Sequence, residues 1–158
     1  MANPSLSTDD LDLVEYARSG AEALKNKYPG TVFTSGRRTV QQQADSMSRN
    51  VAKNRNWIKE TYAVSDERDA LQQWVDQHPE ATAATDISAG LQSVMDDWTD
   101  AQKVRLSRHF AGLAFDVQPV TDNADDITTF IRGLPHLRKF LDSEGGLTIW
   151  HAEFAPSA

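Results

Sequence analysis

The chain contains no cysteine. That excludes disulfide staples, thiol catalysis and every metal site built on thiolates. Basic residues are in the minority, sixteen Lys and Arg against twenty-three Asp and Glu, giving a formal net charge of -7. A surface of that sign repels nucleic acid and anionic lipid, so neither is an expected partner, although a small basic pocket stays open. No run approaches the roughly 18 apolar residues of a membrane span, so membrane insertion is not expected either. The opening residues MANPSLSTDDLDLVEYARSG carry acids where a secretory leader has a basic patch and an apolar run. The expectation is synthesis in the cytoplasm without a standard leader. Internal repeats and low-complexity tracts are also lacking.

What is present is an ordinary globular composition: 39% apolar and 25% charged among 158 residues, the size of one domain. Ser7 or Thr8 can cap a first helix with an apolar stripe from Leu11 through Leu24 to Tyr28, stopped by Pro29-Gly30. A short β-prone run, Thr31 to Thr34, leads into the polar turn Ser35-Gly36-Arg37-Arg38. Thr39 can cap a second helix that extends toward Trp57 and Ile58, and Ser65 a third that ends at His78-Pro79. Residues 80–90 are small and polar and read as an exposed loop. Thr99 with Gln102 forms a capping-box pattern for a further helix.

Beyond this point the period changes. Leu113, Phe115 and Val117 alternate with Ala114 and Asp116, as in a half-buried strand. Residues 125–142 return to helical spacing, broken near Gly133 and Pro135. Gly145-Gly146 then turns into a last strand, Leu147–Phe154, with His151 and Glu153 on one face and Trp150 and Phe154 on the other. The fold class read from this order is α+β, helices packed on a small, mainly antiparallel central sheet that carries the functional site. The whole of 1–158 reads as one domain with a helical insertion at about 50–106.

Three polar features demand compensation. Asp116 sits inside an apolar strand, where an unpaired carboxylate would cost several kcal/mol. His109 precedes the same strand, with Gly112 between them to let the chain bend. His151 stands on the last strand. Two imidazoles and one carboxylate make a three-ligand zinc set with a position left for water, whereas a buried His–Asp pair plus an unrelated histidine is the plainer reading. Arg37-Arg38 offers a guanidinium fork for a carboxylate, or two solvated turn residues. His136 in His136-Leu137-Arg138-Lys139 reads as part of a solvated helical face, and His78 as a helix-end residue. Trp57, Trp74, Trp98 and Trp150 read as core.

The pattern Ser107-x-His109-x-x-Gly112-x-Ala114-x-Asp116 resembles the central motif of the zinc D-Ala-D-Ala carboxypeptidases and related peptidoglycan endopeptidases, the VanY-like and phage endolysin group. Ser35-Gly36-Arg37-Arg38-Thr39 with Gln43, and Trp150-His151-Ala152-Glu153, are similar to two further segments of that family, in the same order. The resemblance spans residues 35–153. It implies an α+β fold of the hedgehog type and one Zn2+ held by His109, Asp116 and His151. It further implies that Arg38 binds a substrate carboxylate or orients its carbonyl, with Ser107 and Gln43 at the substrate. The activity implied is hydrolysis of peptide stems or cross-links of bacterial peptidoglycan, at the cell wall or in the periplasm, with delivery by a phage or a secretion machinery. The family places its catalytic carboxylate three residues before the last histidine, and here that residue is Thr148. A threonine hydroxyl cannot take a proton near neutral pH. The base is then Glu153, or Glu144 from the preceding turn, or the site is inactive and the domain binds wall peptides or a protein.

Overall fold

The computed structural model describes residues 6–144 and 146–156, without the side chain of Glu144. Among these residues it is α+β, with seven α-helices and one four-stranded antiparallel sheet. The chain divides into two compact units, residues 1–37 with 111–158, and residues 38–110.

The first unit holds α1 (Glu15–Lys27), β1 (Phe33–Ser35), β2 (Ala114–Val117), α7 (Ala124–Arg132), β3 (Leu137–Glu144) and β4 (Leu147–Phe154). The sheet order is β1-β2-β4-β3. Phe115, Val117, Trp150, Ala152 and Phe154 join Ala17, Ala21 and Leu24 of α1 and Ile127 and Ile131 of α7 in one core. Trp150 is therefore core, as its strand parity predicts. The period-two alternation of both strands leaves Ala114, Asp116, His151 and Glu153 on the opposite face.

The second unit is helical: α2 (Val40–Val51), α3 (Trp57–Thr61), α4 (Asp66–Gln77), α5 (Ala84–Met95) and α6 (Asp100–Leu106). Its own core includes Met47, Val51, Ile58, Leu71, Val75, Ile87, Leu91 and Met95. Trp57 belongs to that core, with Trp74 and Trp98 partly buried against it. The Thr39–Gln42 and Thr99–Gln102 capping boxes are both formed, and the Ser65 hydroxyl accepts from Arg68 N–H, so the cap signals mark the true starts of α2, α6 and α4. Three carbonyls near the end of α4, those of Val75, His78 and Ala81, accept from the Arg55 guanidinium. Val75 and His78 also accept main-chain N–H groups, from His78 and Ala81, so the guanidinium adds a second donor at this helix end.

Four expectations are corrected. Ser7 does not start α1: its hydroxyl accepts from Asp10 N–H while its own main-chain N–H donates to the Asp10 carboxylate around a separate turn, Asp12 takes a left-handed φ of 51°, and the helix begins at Glu15 after the uncapped Val14. Trp57 and Ile58 lie not on an extension of α2 but on α3. Residues 80–90 are no loop throughout, because α5 begins at Ala84 and buries Ile87, Ser88 and Gly90. Finally, helix stops at Arg132, and residues 137–144 form β3. The turn through Pro135 and the left-handed His136 (φ 65°) reverses the chain, and pairing with β4 fixes the extended backbone against local helical spacing.

Candidate metal centre

Asp116 and His151 lie directly opposite each other in the antiparallel β2–β4 register. Thirty-five residues apart in sequence, their side chains meet with His151 Nδ1 2.8 Å from Asp116 Oδ1. One pair further along, Ala114 opposes Glu153, and Glu153 Oε1 lies 3.0 Å from His151 Nε2. The other carboxylate oxygen, Oε2, accepts from Arg138 Nη1 at 3.1 Å. Arg138, Glu153, His151 and Asp116 thus form a continuous polar line across three strands.

His109 sits on a single 3-10 turn, Arg108–Ala111, immediately before β2. Its main-chain N–H donates to the Ser107 hydroxyl, 3.3 Å away, and its carbonyl accepts from Arg38 N–H at 2.9 Å. Gly112 follows with φ +69°, the left-handed conformation that the expected bend requires. A Cβ at Gly112 would lie 2.7 Å from Arg37 Nη2 and 2.8 Å from the Asp12 carbonyl, so glycine is needed for space as well as for φ.

His109, Asp116 and His151 could hold a metal ion. Each offers one ligand atom, and these atoms lie within 4.8 Å of one another. Both histidines are buried, and the Asp116 side chain is 16% exposed. The donor set is chemically suited to a divalent cation such as zinc, which favours imidazole nitrogen and carboxylate oxygen when thiolate is lacking. His151 supplies a second argument. A neutral imidazole has one N–H, yet here each ring nitrogen faces a carboxylate oxygen at hydrogen-bond distance. One contact sets lone pair against lone pair unless the ring is doubly protonated or a cation sits beside it. With the proton on Nε2 and donated to Glu153, Nδ1 would be left with its lone pair for a metal ion on the Asp116 side.

The remaining candidates separate. Arg37 and Arg38 do not act as a fork: Arg37 Nε pairs with the Asp12 carboxylate at 3.0 Å, whereas Arg38 Nη1 donates to Gln43 Oε1 at 3.1 Å. Gln43 is fully buried. The Ser107 hydroxyl supports the His109 turn. Glu144 pairs with Leu147 at the hairpin end, and its side chain lies outside the described residues. The β3–β4 register matches Leu141 with His151 but Ser143 with Thr148, so β4 spends three residues where β3 spends two. Thr148 lines a cleft together with Trp150, Asp125, Thr128 and Asp142. Thr148 itself is exposed.

His78 Nδ1 donates to the Trp74 carbonyl at 2.7 Å and its ring stacks on Trp74, while His136 is exposed with its ring 5.4 Å from Tyr16. Neither joins the three-residue group. Sequence reasoning missed Arg138 and Tyr62. Arg138 was assigned to a helix, and Tyr62, whose hydroxyl accepts from Gln43 Nε2 at 2.9 Å, belongs to no motif. Compared with known proteins, the chain matches no family model, no curated protein and no solved structure.

Proposed function

We propose that the chain is a zinc-dependent peptidase acting on peptide stems or cross-links of bacterial peptidoglycan. The observation that carries this reading is the convergence of two imidazoles and one carboxylate, with their ligand atoms within 4.8 Å. Its motif spacing gives the substrate class by resemblance. When bound, zinc supplies a Lewis acid that polarises a peptide carbonyl and lowers the pKa of water. Asp116, on the paired strands β2 and β4, would hold the ion and offset part of its charge. Glu153 takes the Nε2 proton of His151 in a hydrogen bond and thereby presents Nδ1, and Arg138 fixes the second oxygen of that carboxylate. Arg38, tied through its main chain to the carbonyl of His109, offers a cation to a substrate carboxylate or a developing oxyanion. Proton transfer falls to Glu153 or Glu144. For Glu153 it means giving up one of its existing hydrogen bonds. The site of action is the cell wall or periplasm, reached through phage or secretion-machinery delivery. No helix among the described residues is long and apolar enough to cross a membrane.

The second reading is a metal-containing domain that binds wall peptides or a protein without cleaving. Thr148 in the place of a carboxylate, and the engagement of both Glu153 oxygens, favour it. The two readings separate on purified peptidoglycan by zinc-dependent release of new amino groups, measured for wild type, Glu153→Gln and Glu144→Gln. The peptidase reading expects release in wild type and its loss, with zinc retained, in one variant. Stoichiometric zinc without release from several wall types would overturn it and leave the binding reading.

A further inference from the structure

Gln43 is fully buried on the inner face of α2, and a buried primary amide has two chemically different ends to satisfy. One end faces Arg38 Nη1 at 3.1 Å. A guanidinium can only donate, so that end must be the oxygen, and the orientation of the amide follows from the arginine. The nitrogen end then donates to Tyr62 Oη at 2.9 Å. Tyr62 is itself well held. It ends α3 with its N–H on the Ile58 carbonyl at 3.0 Å, and its ring meets buried Trp57 edge-on, with centroids 5.8 Å apart. Meanwhile the main-chain N–H of Arg38 is fixed on the His109 carbonyl. The arginine is therefore restrained at both ends, at the backbone by the His109 turn and at the head by an amide that an aromatic pair locks in place.

We propose that Tyr62, acting through Gln43, is a positioning residue that holds the Arg38 guanidinium ready for a carboxylate of the peptide substrate. The choice of substrate rests on the peptidase reading above; the restraint on Arg38 does not. Holding the head in advance removes rotamer freedom that would otherwise be lost on binding. Tyr62→Phe deletes one oxygen, keeps the ring on Trp57 and leaves the Gln43 amide nitrogen without that acceptor.

The test is nitrogen-15 NMR of the Arg38 side chain in the full-length, metal-free protein without substrate. Tyr62→Phe should speed rotation of the guanidinium by about fivefold, the effect of one hydrogen bond. In Gln43→Leu the side chain bonds neither Arg38 nor Tyr62, so adding Tyr62→Phe should change nothing further. For the active protein, Tyr62→Phe should raise KM about fivefold with kcat unchanged, the mark of lost ground-state binding. Unchanged Arg38 rotation in Tyr62→Phe, or an equal effect of that substitution in the Gln43→Leu background, would overturn the proposal. Failure of wild type to cleave peptidoglycan would overturn the peptidase reading while the NMR result still decides the role of Tyr62.

Discussion

Asp116→Asn should have opposite effects on the metal-free and the zinc-loaded protein. In chelator, a singly protonated His151 ring can donate to Glu153 or to Asp116 but not to both, although both carboxylate oxygens lie within 3.0 Å of its ring nitrogens. With Nε2–H given to Glu153, asparagine can turn its amide N–H toward Nδ1 and replace a lone-pair contact by a hydrogen bond. The metal-free variant should then be more stable than wild type by about 0.5–1.5 kcal/mol. At about 2–4 °C per kcal/mol for a chain of this length, Tm rises by about 1–6 °C. Zinc reverses the order. At about 100 times its Kd the ion stabilises wild type by about 2.7 kcal/mol, or about 5–10 °C. Loss of the only anionic ligand in the set should weaken zinc by at least about 100-fold, as even outer-shell changes can. The same zinc concentration then sits near Kd and adds only about 0.4 kcal/mol, or about 1 °C. Thermal melts followed by circular dichroism, in chelator and with zinc at pH 7.5, measure both quantities. An Asp116→Asn protein that loses more than about 2 kcal/mol in chelator yet keeps the full zinc shift would refute the reasoning, because Asp116 would then be a hydrogen-bond partner of His151 and no ligand.

Two further substitutions test the frame around the site. Gly112→Ala places a side chain at φ +69° and 2.8 Å from the Asp12 carbonyl, so it should cost about 1–2 kcal/mol from backbone strain alone and weaken zinc by shifting His109; calorimetric titration with zinc checks the second effect, and unchanged affinity would sever Gly112 from the site. In α5, Gly90→Ala gains about 1 kcal/mol of helix propensity but sets Cβ against the Trp74 ring, at 1.8 Å from Cζ2, where overpacking costs up to about 3 kcal/mol. Packing should win by about 2 kcal/mol, read as a lower Tm together with changed tryptophan fluorescence, and a stabilised variant would contradict it.

The parts of this fold that were legible in sequence depend on contacts within a few residues. Thr39, Thr99 with Gln102, and Ser65 each satisfy helix N–H groups three positions away, so these cap residues locate three helix starts. Gly112 is similar, since its left-handed φ is a property of one residue. Where the local signal was ambiguous, it misled. Ser7 caps a turn that never becomes a helix, and Leu137 to Leu141 carries spacing that either period can use until β4 pairs with it. The identities of His109, Asp116 and His151 were readable because the chemistry of their side chains demands partners and because their motif is familiar.

Composition and short-range pattern by themselves determined the α+β class, the absence of thiol chemistry and the three candidate ligands. Tertiary structure alone decided that Asp116 faces His151 across a strand pair, that Glu153 and Arg138 continue that line, and that Arg37 and Arg38 part to different partners. The reason is one of range. Capping bonds and backbone strain are settled within a turn of chain, whereas register, a bulge and the pairing of buried polar groups are fixed only when distant segments compete for the same hydrogen bonds.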